Sequence, residues 1–151
     1  MALKQISVYL ENSPGRLLEV TRAFGEAGIN LKALSLTGTS GFGVLRLIVS
    51  DLKRARNIAM DHHWPAKVDD VLAIRISDIP GSLAAMLTPL KERRIDVEYM
   101  YAFTGFSSTD AVMILGFKDI EAATVALGDC DAEIVDAEEF GVLESRGNQR
   151  K

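Results

Sequence analysis

Apolar and polar residues alternate at the start of the chain. Ile6, Val8 and Leu10 recur at every second position, and Gln5, Ser7 and Tyr9 alternate with them. This period predicts a β-strand with one buried face and one polar face. The spacing then lengthens to three and four residues, which predicts an amphipathic helix. The apolar positions of that helix are Leu17, Val20 and Phe24.

Two strands, a second helix and a closing strand complete the first half. Residues 29–36 and 44–49 predict strands on either side of a glycine-rich hairpin loop at residues 37–43. Asp51 is the expected N-cap of the next helix, and residues 66–68 predict a short strand. The predicted order is therefore β-α-β-β-α-β.

The same pattern recurs in the second half. Pro80 and Gly81 stand 66 residues after Pro14 and Gly15, and each pair separates an alternating segment from a helical one. The third strand of the second half, at residues 112–117, comes 68 residues after its counterpart, so the second hairpin loop gained two residues. The last elements are a helix with Asp119 as its cap and Gly128 as its end, and a strand at residues 132–135.

This repeat predicts two domains, at residues 1–70 and 71–137, and a polar tail at residues 138–151. The class is α+β: two ferredoxin-like β-α-β-β-α-β units, each an antiparallel sheet with its helices on one face. The third strand of each unit is apolar on both faces, so we expect its second face to be covered as well. An aromatic stripe in the second unit either packs in that second layer or lines a pocket: Tyr99, Tyr101 and Phe103.

The turn before the first helix has the composition of an anion site. Pro14 is expected at the first helical position, where its missing N–H costs nothing, and Ser13 is the expected N-cap. Gly15 has no Cβ, so a ligand can approach the unpaired N–H groups of the first turn. Gly28 is the expected end of this helix. The turn therefore suits a carboxylate.

These turns make the chain similar to a known family. The Pro-Gly-x-Leu sequences at residues 14–17 and 80–83, in this order of elements, resemble tandem ACT domains over residues 4–136. The resemblance implies regulatory modules that bind amino acids, mostly at interfaces between paired domains, and that lack catalysis of their own. It also implies a ligand-contacting residue at the start of each second strand, Asn30 and Asp96.

Carried over to this chain, the resemblance implies two sets of ligand-binding residues. The family's acid before x-Pro-Gly is present in the second copy and replaced by an amide in the first. The residue in place of Ser13 is apolar in the second copy, so the acid there is expected to cap its helix. The first set is Asn12, Ser13, Pro14, Gly15, Arg16, Leu17 and Asn30, and the second is Asp78, Ile79, Pro80, Gly81, Ser82, Leu83 and Asp96.

Bulk properties and reactive residues exclude several other functions. A net charge of −4 without a basic stripe argues against a nucleic acid partner. No apolar run is long enough for a membrane span, and no leader precedes the first strand, so a cytoplasmic protein without a membrane partner is expected. Cys130 is the single cysteine, and the adjacent His62 and His63 point in different directions on a helix. We therefore expect no catalytic residues, metal or cofactor.

The sequence thus predicts a non-enzymatic, amino-acid-binding regulatory protein that forms a homodimer and passes its signal to a separate metabolic enzyme. Three alternatives stay open. One is the small regulatory subunit of a biosynthetic enzyme such as acetolactate synthase. Another is a small ferredoxin-like enzyme of the acylphosphatase kind, for which Arg16 at a helix start is the single candidate residue. The third is an assembly module without a small ligand.

Overall fold

The computed structural model describes residues 3–103, 109–130 and 132–140, which contain seven strands and four helices. Their order confirms the α+β prediction. Part of the second hairpin loop, residues 104–108, where two inserted residues are predicted, lies outside the described residues, as does the predicted tail from residue 141 onward. The elements are β1 Leu3–Glu11, α1 Arg16–Glu26, β2 Leu31–Thr39, β3 Phe42–Val49, α2 Leu52–Asp61, β4 Ala66–Ser77, α3 Ser82–Glu92, β5 Val97–Phe103, β6 Asp110–Phe117, α4 Ile120–Gly128 and β7 Glu133–Val135.

The described chain forms two compact units. The first unit contains residues 4–69 and 137–140, and the second contains residue 3 and the described part of 70–136. The boundary falls inside β4, which runs unbroken where the sequence predicted two separate strands, one at residues 66–68 and one from Val71. Neither glycine nor proline interrupts this stretch, so nothing in it ends the extended backbone.

In the first unit the strands lie in the order β2-β3-β1-β4. β1 and β3 are antiparallel, with Val8 opposite Leu45. The β2–β3 turn is tighter than predicted, because β2 continues to Thr39 and β3 begins at Phe42. Helices α1 and α2 cover one face, and the fully or nearly fully buried side chains of that core are Ile6, Val8, Leu10, Val20, Phe24, Ile29, Leu45, Leu47, Val49 and Ala55.

The second unit repeats this arrangement with the order β5-β6-β4-β7. Ile74 of β4 lies opposite Met113 of β6. On the far side of the sheet the ring of Tyr99 lies over Gly116 and fills the space that a Cβ there would need, which supports packing of the aromatic stripe against the sheet. The core beneath α3 and α4 contains Leu72, Ile74, Met86, Leu90, Met113, Leu115, Ala123, Ala126 and Leu127.

The polar face of β1 is buried, contrary to the alternating pattern. Gln5 is 0% and Ser7 3% exposed, and the Gln5 Nε2 group donates to Ser7 Oγ at 3.3 Å. In β6 the second face is buried as predicted, since Val112 and Ile114 are both fully buried. In β3 the prediction holds in part: Ile48 is fully buried, whereas Val44 and Arg46 on the same face are half-buried. Within the described residues, no helix is long and apolar enough to cross a membrane.

The ends of α1 and α3 have the same geometry. Gly28 ends α1 as predicted, with a φ of 74°, and the Ile29 N–H donates to Phe24 O at 2.9 Å. The counterpart of Gly28 after α3 is Arg94, which adopts a φ of 57°. A left-handed conformation strains a residue with a Cβ, so the second copy tolerates a cost that the first avoids.

Candidate functional site

Two loops with the same backbone precede α1 and α3. We call residues 12–17 the first loop and residues 78–83 the second loop. Gly15 and Gly81 are the N-cap residues, with φ of 89° in both and ψ of −12° and −11°. Glycine adopts this conformation at little cost. The expectation that Pro14 and Pro80 occupy the first helical position is wrong, because the left-handed glycine separates each proline from its helix.

The hydrogen bonds of the two loops correspond one to one. The N–H of the first helical residue donates to the carbonyl three residues earlier at 3.3 Å in both, Arg16 to Ser13 and Ser82 to Ile79. No side chain caps either helix, so the caps expected from Ser13 and Asp78 are wrong. A glycine at the N-cap has no side chain to offer. The next N–H groups of each first turn therefore point toward solvent or a ligand.

The other two helices begin differently. The Asp51 carboxylate accepts from the Arg54 N–H at 3.1 Å, and the Asp119 carboxylate accepts from the Ala122 N–H at 3.1 Å. Both predicted caps are confirmed. Each unit thus has one helix start that a carboxylate of the chain already occupies and one that is open to an external anion.

The first loop is rich in charged side chains. The Arg16 guanidinium lies 3.5 Å from the Glu11 carboxylate and 3.2 Å from the Glu19 carboxylate. Beside them, a depression of about 230 Å³ is also lined by His62 and Trp64, whose rings stack at 4.4 Å. The cation that the sequence offered for a ligand carboxylate is therefore already paired within the unit.

The second loop is mostly apolar. It opens on a depression of about 470 Å³, which we call the second-loop pocket. Asp78 is the charged residue of its lining, and the Asp78 N–H donates to Thr109 O at 2.9 Å. Most of this apolar lining was not predicted from the sequence, although the repeat offered a signal at two positions, where Ala84 and Ala102 replace Leu18 and Leu36. The apolar lining residues are Ile76, Ile79, Leu83, Ala84, Leu87, Ala102, Ala111 and Met113.

The structure does not bring Asn30 or Asp96 to the loop of its own unit. In the second unit the second loop follows Ser77, which pairs with Asp110 at one end of β6, whereas β5 begins after Asp96 and Val97 pairs with Phe117 at the other end. The 8 residues of β6 span about 23 Å at about 3.3 Å per residue. One small ligand cannot contact both positions of a single unit.

In the first unit, the loop and the start of β2 are separated in the same way. β1 ends opposite Phe42, next to the first loop, while β2 begins opposite Val49. Asn30 lies at that second end, where its N–H donates to Ser50 Oγ at 2.9 Å. Across the described ranges, no three His, Cys, Asp or Glu side chains lie close enough together to hold a metal ion.

These features define a class of protein: a tandem of ferredoxin-like modules with paired glycine turns at open helix starts. A family model described as an ACT domain pair matches residues 1–136. The chain therefore belongs to the ACT domain pair family, which confirms the resemblance and makes it a regulatory module by fold. A search of curated proteins finds no match.

Solved structures support the fold over nearly the whole chain. Protein BT0572 from Bacteroides thetaiotaomicron is 33% identical, with a TM-score of 0.87 over 93% of this chain and 96% of that one. The ligand-free regulatory subunit of aspartate kinase from Thermus thermophilus is 18% identical, with a TM-score of 0.62 over 83% of this chain and 90% of that one. A structure of aspartokinase alpha and beta subunits is 19% identical, with a TM-score of 0.59 and the same coverage. At this identity, the last two are similar in fold alone.

Proposed function

We propose that this chain is a non-enzymatic regulatory protein that binds a free α-amino acid at its glycine turns. The observation that carries the proposal is the pair of uncapped helix starts with the same geometry, Gly15 before α1 and Gly81 before α3. A helix start carries about half a positive charge and several unpaired N–H groups. It therefore favours the α-carboxylate of an amino acid.

The second loop has the stronger claim to the ligand. Asp78 offers a carboxylate for the ammonium group of the bound amino acid. The backbone N–H groups that follow Ser82 are available to the α-carboxylate of the same ligand. In the first loop an amide, Asn12, stands at the position of Asp78, and Arg16 is held by two carboxylates of its own unit. An amino acid at the first loop has to compete with those ion pairs, so we expect weaker binding there.

Ligand contacts from Asn30 and Asp96 require a second unit. Each residue lies at the far end of its unit from the loop, so it can contact a ligand at a loop when two units come together. We propose a homodimer in which paired units enclose the ligand. An amino acid bound in this way changes the dimer only to the extent that its affinity differs between two arrangements of the units.

We propose further that the output is a change in a separate enzyme of amino-acid metabolism. The regulatory subunit of aspartate kinase has the same fold. The alternative, a regulatory subunit of acetolactate synthase, likewise implies binding to a separate catalytic subunit. Purification of the tagged chain from its native cell, followed by identification of a catalytic subunit that remains bound, distinguishes these enzymes from each other and from a free-standing sensor.

The first test is thermal unfolding of the purified chain in the presence of each of the twenty amino acids at millimolar concentration. A ligand at a hundred times its dissociation constant adds about 2.7 kcal/mol to the free energy of unfolding, which raises the melting temperature by several degrees. We expect such a rise for one amino acid or a few related ones. No rise with any amino acid would contradict the proposal and favour the assembly module.

The same screen on the variant Asp78→Asn locates the site. Loss of the carboxylate that faces the ammonium group should weaken binding by roughly tenfold, while the unliganded melting temperature stays the same because Asp78 is exposed. Asp96→Asn makes the same change at the other end of the unit and tests whether the ligand is shared. Weaker binding in both variants would indicate that two units share the ligand, and weaker binding in Asp78→Asn alone would confine the site to the second loop.

A further inference from the structure

The second-loop pocket joins the open helix start to an apolar surface of the sheet. Its floor contains Ile76 of β4 and Met113 of β6, and α3 contributes Leu87 on the helix side. A ligand whose carboxylate lies at the helix start therefore has its side chain directed over aliphatic groups. Charged and strongly polar side chains would lose hydration there without gaining a partner.

Comparison with the first unit indicates why this space is open. Leu36 stands in the first unit where the repeat places Ala102 in the second, and Gly43 stands where it places Ala111. The Leu36 Cδ1 atom lies 3.6 Å from the position that a Cβ on Gly43 would take, so this leucine covers its glycine. In the second unit the short side chain of Ala102 does not cover the corresponding volume, which among the described residues belongs to the second-loop pocket.

The two loops also differ in charge, and this difference again favours an apolar ligand at the second loop. Glu11 and Arg16, which form an ion pair in the first unit, correspond to Ser77 and Ser82 in the second, and both serines line the second-loop pocket. Among the described residues, the pocket thus combines one carboxylate, that of Asp78, with an open helix start and an aliphatic lining. This set matches one cationic group, one anionic group and an apolar side chain.

We propose that the second-loop pocket is the side-chain pocket of the bound amino acid, that it selects apolar α-amino acids, and that Ala102 is the specificity-determining residue that keeps it open. This inference rests on the proposed amino-acid-binding function and narrows it. The two loops of one chain are then unequal: the second is selective for an apolar ligand, and the first, with Leu36 over its glycine, lacks the matching space.

The test is isothermal titration of the full chain with L-leucine, L-phenylalanine, L-alanine, L-aspartate and L-lysine. Wild type should bind leucine or phenylalanine at least roughly tenfold more tightly than aspartate and lysine, because burial of a charged side chain is costly. Ala102→Leu restores the residue of the first copy at an exposed edge-strand position, and it should weaken binding of leucine and phenylalanine by roughly tenfold. The loss should be smaller for alanine, whose side chain needs less space, and a purely structural effect would not depend on ligand size.

Ala66→Leu is the matched control, since it makes the same change at an exposed strand position outside both loops and outside the pocket lining, and it should leave the affinity for leucine and phenylalanine unchanged. The milder variant Ala102→Val should give a smaller loss with the same size dependence, which keeps the test valid if Ala102→Leu fails to fold. Tight binding of a charged amino acid, or unchanged affinity in both Ala102 variants, would overturn the assignment of the second-loop pocket as the side-chain pocket. The proposed amino-acid-binding function would stay in place. Absence of binding for these five amino acids, together with no thermal shift for any of the twenty in the screen above, would overturn both the pocket and the proposed function.

Discussion

At the residue scale, the repeat places different residues on the same strained backbone. Gly28 and Arg94 are counterparts after α1 and α3, and both adopt a left-handed conformation, with φ of 74° and 57°. The Ile95 N–H that follows Arg94 donates to Leu90 O at 2.9 Å, as Ile29 does to Phe24. The hydrogen bond at the helix end holds the chain in this conformation whether or not the residue suits it.

Arg94→Gly should therefore stabilise the protein. A Cβ in the left-handed region costs about 1–2 kcal/mol, and part of that gain is offset by the greater entropy of glycine in the unfolded chain. We expect a net rise of about 0.5–1 kcal/mol in the free energy of unfolding, measured by urea denaturation.

Arg93→Gly provides the comparison at the neighbouring position. Arg93 has a φ of −97° and donates to the Asp129 carboxylate at 2.9 Å, so glycine there removes an ion pair and relieves no strain. This variant should be slightly less stable than wild type. A stability of Arg94→Gly at or below that of wild type would mean that the side chain of Arg94 contributes more than its backbone costs.

At the scale of elements, the four helix starts fall into two kinds. α1 and α3 begin at uncapped glycines beside the loops, whereas α2 and α4 begin at aspartates that accept from a first-turn N–H. The sequence identified both aspartates, because an N-cap is a local signal. It misplaced Pro14 and Pro80 because the positive φ of the following glycine depends on how the whole turn joins strand to helix.

Asp119→Ala should destabilise the protein, whereas the contacts that the second loop makes to a ligand should stay the same. Loss of an N-cap costs about 0.5–2 kcal/mol, and α4 begins at the end of the second unit away from the second loop. Chemical denaturation measures the loss of stability, and titration with the amino acid found in the screen measures binding. Asp51→Ala should behave in the same way, since it is the counterpart in the first unit. Weaker ligand binding in either variant would mean that the site extends to the capped helices.

At the scale of the whole molecule, the first unit leaves large apolar side chains exposed at its edge strand. Leu34 is 55% and Leu36 49% exposed on β2, and β2 pairs with β3 on one side of the first unit's sheet. An edge strand with apolar side chains is a template for association with another strand. This surface is therefore our choice for the contact between copies in the proposed homodimer.

Leu34→Lys should weaken that dimer. A lysine on an edge strand opposes strand-to-strand association, so we expect sedimentation equilibrium to give a dissociation constant raised by roughly tenfold or more. Val125→Lys is the control, since Val125 is 59% exposed and lies on α4 of the second unit. A wild-type chain that sediments as a monomer at all concentrations, with and without ligand, would contradict the homodimer.

The sequence by itself determined the repeat, the position of both loops and the order of elements, except that it predicted two strands where β4 is one. These features depend on local chemistry: the period of apolar positions, aspartate at two helix starts and glycine beside proline at two turns. The family model of the ACT domain pair, which matches residues 1–136, confirmed the predicted resemblance to tandem ACT domains. The amino-acid ligand and the residues that bind it stay predictions.

Only the tertiary structure decided what each loop faces. Pairing of β2 with β3 placed Leu36 over Gly43, and pairing of β5 with β6 placed Ala102 opposite Met113 beside a depression of about 470 Å³. It also buried Gln5 on a face that alternation alone predicted to be polar. The physical reason is that strand periodicity fixes the face on which a side chain lies, whereas burial and open space depend on the elements packed against that face.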